Sequence, residues 1–326
     1  MSLQTRQQFV KGMVRDAYDY AMEKYDEKPT IFDQIFETES SEDAYEQYTS
    51  VLGPGSMTET EEGEEISRKT ATEGFTVVIA NKKFADELPL TNEAIDDNTK
   101  IKNFLKTWAQ GLGEASRASK EQRHADIFNK GGFTAGHAVF LNDINNVITT
   151  SYGNLAYDSK PFFNVSGNER TAKHGGTYFN AYSSLNLNEA NLQTAYQRMV
   201  VTNAKNEAGR KIELQPDVLI VQLGSNNAFT ARRLVESSAQ VEGTHSGVAN
   251  LWKGKLRIIE WAYVDTATAW YLGIAKKGLK SLARKPLTID YYEDKRHDAQ
   301  IVRGIMRLGC GVTNFRPWIG ANVAAS

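Results

Sequence analysis

Five histidines, one cysteine and a few glycine turns are the residues whose types would point to chemistry. The histidines are His124, His137, His174, His245 and His297. No two stand three or four residues apart, so no helix presents a histidine pair to a metal ion. Isolated histidines ordinarily serve packing or face solvent. Cys310 is the single cysteine, which excludes an intrachain disulfide and a cysteine zinc cluster and fits a reducing compartment. Gly111-Leu-Gly113 is half of a dinucleotide fingerprint. It lacks the third glycine and lies inside a helical pattern rather than after a strand. Leu223-Gly-Ser-Asn lacks the closing glycine of a nucleophile elbow, and no Walker-type loop occurs. His174-Gly-Gly176 reads as a loop tip. Carboxylates are plentiful, but none stands in an apolar context that would raise its pKa. The expectation is a non-enzyme with no catalytic residue, no cofactor-binding residue and no metal ligand.

Charge is arranged more tellingly than catalytic chemistry. Between Lys28 and Arg68 there is no Lys or Arg, and the same span carries Glu59, Glu61, Glu62, Glu64 and Glu65 beside the turn chemistry of Leu52-Gly-Pro-Gly-Ser-Met. A basic cluster, Lys276, Lys277, Lys280, Arg284 and Lys285, lies far downstream. Either run serves as a solvated surface. Alternatively, the acidic stretch is an arm that reaches a basic surface on another copy, and these ten residues are the candidate contacts between subunits. The cluster lacks the interleaved aromatics that stack on bases. The formal net charge of −2 is not that of a protein that grips nucleic acid through phosphates.

The elements that would position these charges follow from periodicity. Residues 3–27 carry an apolar stripe at helical spacing, from Phe9 to Tyr25, and Pro29 ends it. The stripe packs on its own domain or on a neighbouring subunit. Phe75–Ala80 reads as a strand. A long helical pattern runs over 91–128, with Thr91 as N-cap and Asn129-Lys-Gly-Gly132 as its stop. Gly111 and Gly113 weaken this rod by about 1 kcal/mol each relative to Ala, which predicts a bend there. Residues 131–183 lack periodicity and read as a long loop with short strands.

Further on, 188–199 and 227–236 read as helices. Residues 216–222, 256–264, 269–275, 287–292 and 299–307 read as strands. Helices and strands mix without a βαβ rhythm, which predicts an α+β fold. The polar start shows no apolar leader segment, and no apolar run approaches the ~20 residues of a membrane span.

Several stretches of the last two thirds carry a family resemblance. Leu185-Asn-Leu-Asn-Glu-Ala-Asn-Leu-Gln-Thr-Ala-Tyr-Gln-Arg-Met199 precedes Glu207-Ala-Gly-Arg-Lys-Ile-Glu-Leu-Gln-Pro-Asp-Val-Leu-Ile-Val221. Asn227-Ala-Phe-Thr-Ala-Arg-Arg-Leu-Val-Glu-Ser237 and Ala262-Tyr-Val-Asp-Thr-Ala-Thr-Ala-Trp-Tyr-Leu272 follow. Upstream stand Arg123-His-Ala-Asp-Ile-Phe-Asn129, then Pro161-Phe-Phe with His174-Gly-Gly. In this order and spacing the chain resembles the major capsid proteins of tailed bacteriophages.

The resemblance implies the Hong Kong 97-type capsid fold. Residues 1–44 would be an N-terminal arm and 45–80 an extended hairpin loop overlying a neighbouring subunit. Residues 81–184 would be the peripheral domain, with a spine helix at 91–128. Residues 185–290 would be the axial domain, and 291–326 strands returning to the peripheral domain. The implied function is a structural subunit that self-assembles through pentamers and hexamers into an icosahedral head enclosing double-stranded DNA, held weakly and non-specifically. The alternative is an encapsulin-like compartment of the same fold. Implied partners are copies of itself, a portal protein and either a separate scaffolding protein or assembly without one, with decoration proteins left open and no membrane. The place is the virion, after assembly in the host cytoplasm. Relatives that cross-link through a Lys in the extended loop are not matched, because the distal loop has none and Lys69 sits near its base.

Overall fold

The computed structural model describes residues 3–52, 59–60, 62–65, 72–93, 101–133, 161–167, 169–172, 175–239 and 249–322. Glu61, Lys69, His137, His174, His245 and most of the loop read over 131–183 lie outside the described residues.

Two helices set the frame. Helix α1 (Leu3–Asp26) packs along the long helix α3 (Ile101–Asn129), and the single turn α2 (Phe32–Ile35) follows α1. The described part of the N-terminal stripe, from Ala17 on, therefore finds its partner within its own chain. Ala17 is buried with Leu105 and Ala109 of α3, and Ala21 is buried where its carbonyl meets Gly113. At about 1.5 Å per residue, α3 is a rod of roughly 43 Å. Residues 92–93 are also helical, and the start expected at Thr91 leads into 94–100, outside the described residues.

A four-stranded sheet lies beside α3 in the order β1-β13-β14-β4. Its strands are β1 (Glu37–Ser40), β4 (Lys82–Thr91), β13 (Leu279–Asp294) and β14 (Ala299–Val312). Between β1 and β4 the chain leaves as an antiparallel ribbon of β2 (Tyr45–Leu52) and β3 (Thr72–Ala80). Among the described residues this ribbon forms a sheet of two strands only.

Two-residue strands β5 (Gly132–Phe133) and β6 (Phe163–Asn164) pair in parallel, and β7 (Arg170–Thr171) and β8 (Thr177–Tyr178) pair antiparallel. A five-stranded sheet has the order β11-β10-β12-β15-β9. These strands are β9 (Ala181–Tyr182), β10 (Val218–Gln222), β11 (Arg257–Trp261), β12 (Trp270–Gly273) and β15 (Trp318–Ala321). Its strands are apolar on both faces because both are covered. Val218, Ile220, Tyr271 and Trp318 face a core built around the end of α3. Leu219, Val221, Leu272 and Ile319 face a second core with α4 (Glu189–Gln197) and α5 (Asn226–Glu236). Asn188 caps α4 by accepting from the Asn191 N–H, and Ser225 caps α5 by accepting from the Ala228 N–H. A π-helical turn over Arg198–Thr202 continues α4.

The mixture of helices with two mixed sheets is α+β, as the sequence predicts. Residue 290, expected as a domain boundary, falls inside β13, which pairs with β14 along its length with register shifts between Ala283 and Thr288. Within 291–326, β14 belongs to the four-stranded sheet but β15 joins the five-stranded one. The two mid-rod glycines do not interrupt α3. A β-carbon on Gly113 would collide with the Ala21 carbonyl, so this glycine admits the close crossing of α1, whereas Gly111 faces open space.

Candidate inter-subunit surfaces

The two faces of the four-stranded sheet have different owners. Gly304 of β14 faces Leu112 of α3, Ser281 of β13 meets His124 of α3, and the Cys310 thiol donates to the Arg123 carbonyl. On the other face, Leu282 packs with Val77 and Ile79 of β3, and Gly309 lies against the Ala80 carbonyl. The ribbon therefore roots on the face opposite α3.

The root is a polar knot. Lys280 pairs with Glu37 at 2.8 Å and also with Glu39, its close neighbours in the parallel β1–β13 register. Glu39 in turn accepts from the Tyr48 hydroxyl at 2.6 Å. The Ser41 hydroxyl donates to Glu46 at 2.7 Å, and Asn81 Nδ2 donates to Ser41 Oγ at 2.7 Å and to the Asp43 carbonyl at 2.8 Å. Burial pulls the Lys280 ammonium down, but its hydrogen bonds to Glu37 and Glu39 more than offset this and its pKa lies above the ordinary value. Burial raises Glu39, and the bonds from Lys280 and Tyr48 outweigh it, so its carboxyl titrates below the usual range. Burial, then the Glu39 bond, pushes the Tyr48 hydroxyl up.

The basic run read from sequence is not one patch. Lys276 and Lys277 are exposed in the turn before β13, where Lys276 adopts φ 58 and its N–H donates to the Ile35 carbonyl. Lys280 is consumed by β1. Arg284 reaches the Ser41 carbonyl at 3.4 Å. Lys285 is exposed and stands in register with Arg307 of β14, which is itself in register with Lys83 of β4. Glu59, Glu62, Glu64 and Glu65 are exposed. The structure thus gives Lys280 two intrachain acidic partners that sequence reading did not single out as its contacts, Glu37 and Glu39. The signal was a strand of alternating acid and hydroxyl residues ahead of the ribbon.

The junction between α3 and the five-stranded sheet is held from inside. Glu121, 1% exposed, accepts the Ile31 N–H at 2.6 Å and the Trp261 indole N–H at 2.8 Å. Burial raises its carboxyl pKa, with those two bonds opposing. Phe128 packs against Phe36, Phe163, Trp261, Tyr271 and Trp318, with ring centroids 5.0–6.2 Å away. These groups are saturated with structural partners.

His124 is likewise structural, stacked on Phe32 at 4.2 Å and edge-on to Phe36. His297 is exposed and pairs with Asp294. Among the described residues no group of three His, Cys, Asp or Glu could hold a metal ion, and no helix is long and apolar enough to cross a membrane. A cleft of about 370 Å³ between α3 and the sheet is lined by Phe84, Leu112 and Met306, with Lys83, Asp86, Ser116 and Ser119 as its polar groups.

A rod helix on one sheet face, a rooted ribbon on the other and a separately cored second sheet define a Hong Kong 97-type capsid fold. The family model described as phage capsid protein matches residues 73–320, about three quarters of the chain, and the chain belongs to that family. It is a structural major capsid subunit. The capsid of cyanophage P-SCSP1u is similar at a TM-score of 0.54 and 12% identity, covering 92% of this chain and 89% of that one. A structure from Mycobacterium phage Bobi gives 0.51 and 15%, covering 90% of each chain. The mature capsid of bacteriophage PhiM1 gives 0.51 and 12%, covering 90% and 87%. At such identities these likenesses show the fold alone. No curated protein matches the chain in sequence. The phage family match favours a phage shell over an encapsulin-like compartment.

Proposed function

We propose that the chain is the repeating subunit of an icosahedral head, assembled through pentamers and hexamers around double-stranded DNA, with no catalytic step of its own. The observation that carries this is the β2–β3 ribbon. A two-stranded ribbon alone is marginally stable in water. This one is rooted only at its base among the described residues, so its outer part gains stability by lying on another copy. The division of labour follows the sheets. The segment before β2 is an arm clamped by α3. The ribbon is the extended loop. The four-stranded sheet with α3 is the peripheral unit. The five-stranded sheet with α4 and α5 is the axial unit, to which β15 returns.

A separate scaffolding protein and a portal protein complete the proposed assembly in the host cytoplasm. The near-neutral net charge of −2 supports a wall that encloses DNA without gripping it. Electron microscopy and light scattering of the purified chain test the reading. Closed particles, or five- and six-membered rings, are expected. A monodisperse monomer at high concentration, with crowding agent and with scaffolding protein supplied, would count against it.

A further inference from the structure

The four-stranded sheet ends at β4, which has β14 on one side and, among the described residues, no strand on the other. Successive residues of a strand turn their backbone groups to opposite sides. Neighbouring bonds fix which residues of β4 turn outward. The Asn92 N–H, just after the strand, donates to the Asp298 carbonyl on the β14 side. The Asn81 N–H, just before it, donates to the Ala44 carbonyl, away from β14. The Glu87 N–H donates to the Asp86 side chain at 3.0 Å, and Pro89 has no N–H to give. The register with β14 runs without a shift from Lys82 to Thr91, so the odd-numbered positions face the open edge. Between Asn81 and Pro89 these are Lys83, Ala85 and Glu87.

All of them are exposed. Their side chains lie on the ribbon face, because Gly304, in register with Asp86, faces α3. The helix leaves this stretch uncovered: the cleft of about 370 Å³ separates it from α3, and Lys83 and Ala85 line that cleft. Open edges ordinarily carry charge and proline as guards against pairing. Here the guards admit one partner. Lys83 and Glu87 carry opposite charges at equal spacing on either side of Ala85. Antiparallel pairing of this stretch with a copy of itself about Ala85 sets each Lys83 opposite the other copy's Glu87. A shift of register loses both ion pairs. The pairing also ends cleanly, since Pro89 would oppose Asn81, whose N–H is already held by Ala44.

We infer that the β4 edge is a two-fold contact, joining antiparallel to the same edge of a second copy with Ala85 on the axis. Such a contact is self-complementary, as a two-fold interface must be. Each facing pair exchanges two backbone bonds, with α-carbons about 5.5 Å apart. The charged side chains have bonding capacity for it. Glu87 accepts from the Tyr292 hydroxyl at 3.2 Å, and a carboxylate takes further donors. Lys83 has Asp290 nearby across the sheet, and its ammonium carries several donors. The contact goes beyond the shell reading. It needs neither the ribbon nor a closed shell, so free subunits form it too.

The test is cross-linking of the full chain. Ala85→Cys sets two thiols on residues whose α-carbons are about 5.5 Å apart, within reach of a disulfide. Cys310 is buried, so wild type is the blank. In Lys83→Cys the two cysteines stand about 13 Å apart along the strands, beyond that reach. Under a mild oxidant, Ala85→Cys should give at least ten times the disulfide dimer of Lys83→Cys. Within the Ala85→Cys chain, K83E and E87K should each cut the yield at least tenfold, and K83E/E87K together should recover it. Circular dichroism and a melting curve establish the fold of each variant, and the two single cysteines decide the matter if a charge variant does not fold. Equal yields from Ala85→Cys and Lys83→Cys, or a yield indifferent to the charge changes in folded variants, would overturn the contact. Normal particles beside such a result would leave the shell reading standing, whereas an Ala85→Cys dimer from a chain that never forms particles would do the reverse.

Discussion

Gly113 of α3 and Ala21 of α1 meet backbone to backbone, and any β-carbon at position 113 would strike the Ala21 carbonyl oxygen. Two positions away, Gly111 has nothing within 4 Å of where its β-carbon would stand. The two mid-rod glycines look equivalent in sequence, and a bend was the natural expectation from both. In the fold the close crossing of α1 requires the glycine at 113 and not the one at 111.

Substitution separates them. Gly111→Ala removes backbone freedom at an open helical site and is expected to stabilise the subunit by about 0.5–1 kcal/mol. Gly113→Ala forces α1 outward and is expected to cost about 1–3 kcal/mol, the usual range for overpacking. Denaturant midpoints of the unassembled subunit read both. Equal shifts of the same sign would refute the packing account.

At the ribbon root, Tyr48→Phe deletes one hydroxyl and leaves Glu39 paired with Lys280. On a partly exposed charge-assisted bond the expected cost is about 1 kcal/mol. The loss is local, so amide exchange should quicken across 45–49 and 76–80 while the five-stranded sheet keeps its protection. Lys280→Gln unpairs both Glu37 and Glu39 and should quicken it further. Uniform quickening across the whole chain would show that the root is not an independent unit.

What the sequence revealed depended on how fully each element is buried. Residues 216–222 read as a strand because β10 is covered on both faces, and α5 read as a helix because Ala228, Ala231 and Leu234 keep helical spacing. The strands that escaped are edges or half-open. β4 carries Lys82, Lys83, Asp86 and Glu87, with Pro89 in register with Ile301, so its pattern is that of an edge strand and not an alternating one. The first half of β13 looked like a basic surface run because Lys280, Arg284 and Lys285 sit on the face that α3 leaves uncovered. The cross-strand row of Lys285, Arg307 and Lys83 was invisible for a different reason: Lys83 lies about two hundred residues before the other two, and only strand register unites them.

Glu121 offers a sharper destabilisation. Replacing it with Ala strands the Ile31 N–H and the Trp261 indole N–H in a core that water does not reach, at about 1–3 kcal/mol for each orphaned donor. Glu121→Gln keeps one acceptor and turns its amide N–H₂ toward the other donor, so it should fall between wild type and Ala. Near-UV circular dichroism of Trp261 together with urea midpoints checks the ranking. A Gln variant as stable as wild type would show that one of the two bonds contributes nothing.

His124 makes stability depend on pH between 4 and 6.5. Its Nδ1 lies 2.6 Å from the Lys120 carbonyl, which only accepts, so Nδ1 carries the proton and Nε2 accepts from the Ser281 hydroxyl at 2.8 Å. Burial between Phe32 and Phe36 lowers its pKa from 6.5 to about 4. The Lys120 carbonyl and Asp33 oppose this without overcoming it, and the charges of Arg123 and Lys120 add to it. The unfolded chain therefore binds a proton at a pH where the folded chain does not. The stabilisation is present above the unfolded value of 6.5 and is lost as pH falls toward about 4, and the shift corresponds to about 3 kcal/mol. Urea midpoints of the subunit at pH 7, 6, 5 and 4.5 should fall by more in wild type than in His124→Gln, which has no proton to take up. Parallel pH profiles for the two proteins would show that His124 titrates in the fold as it does in the open chain, and that the aromatic clamp around it is not closed.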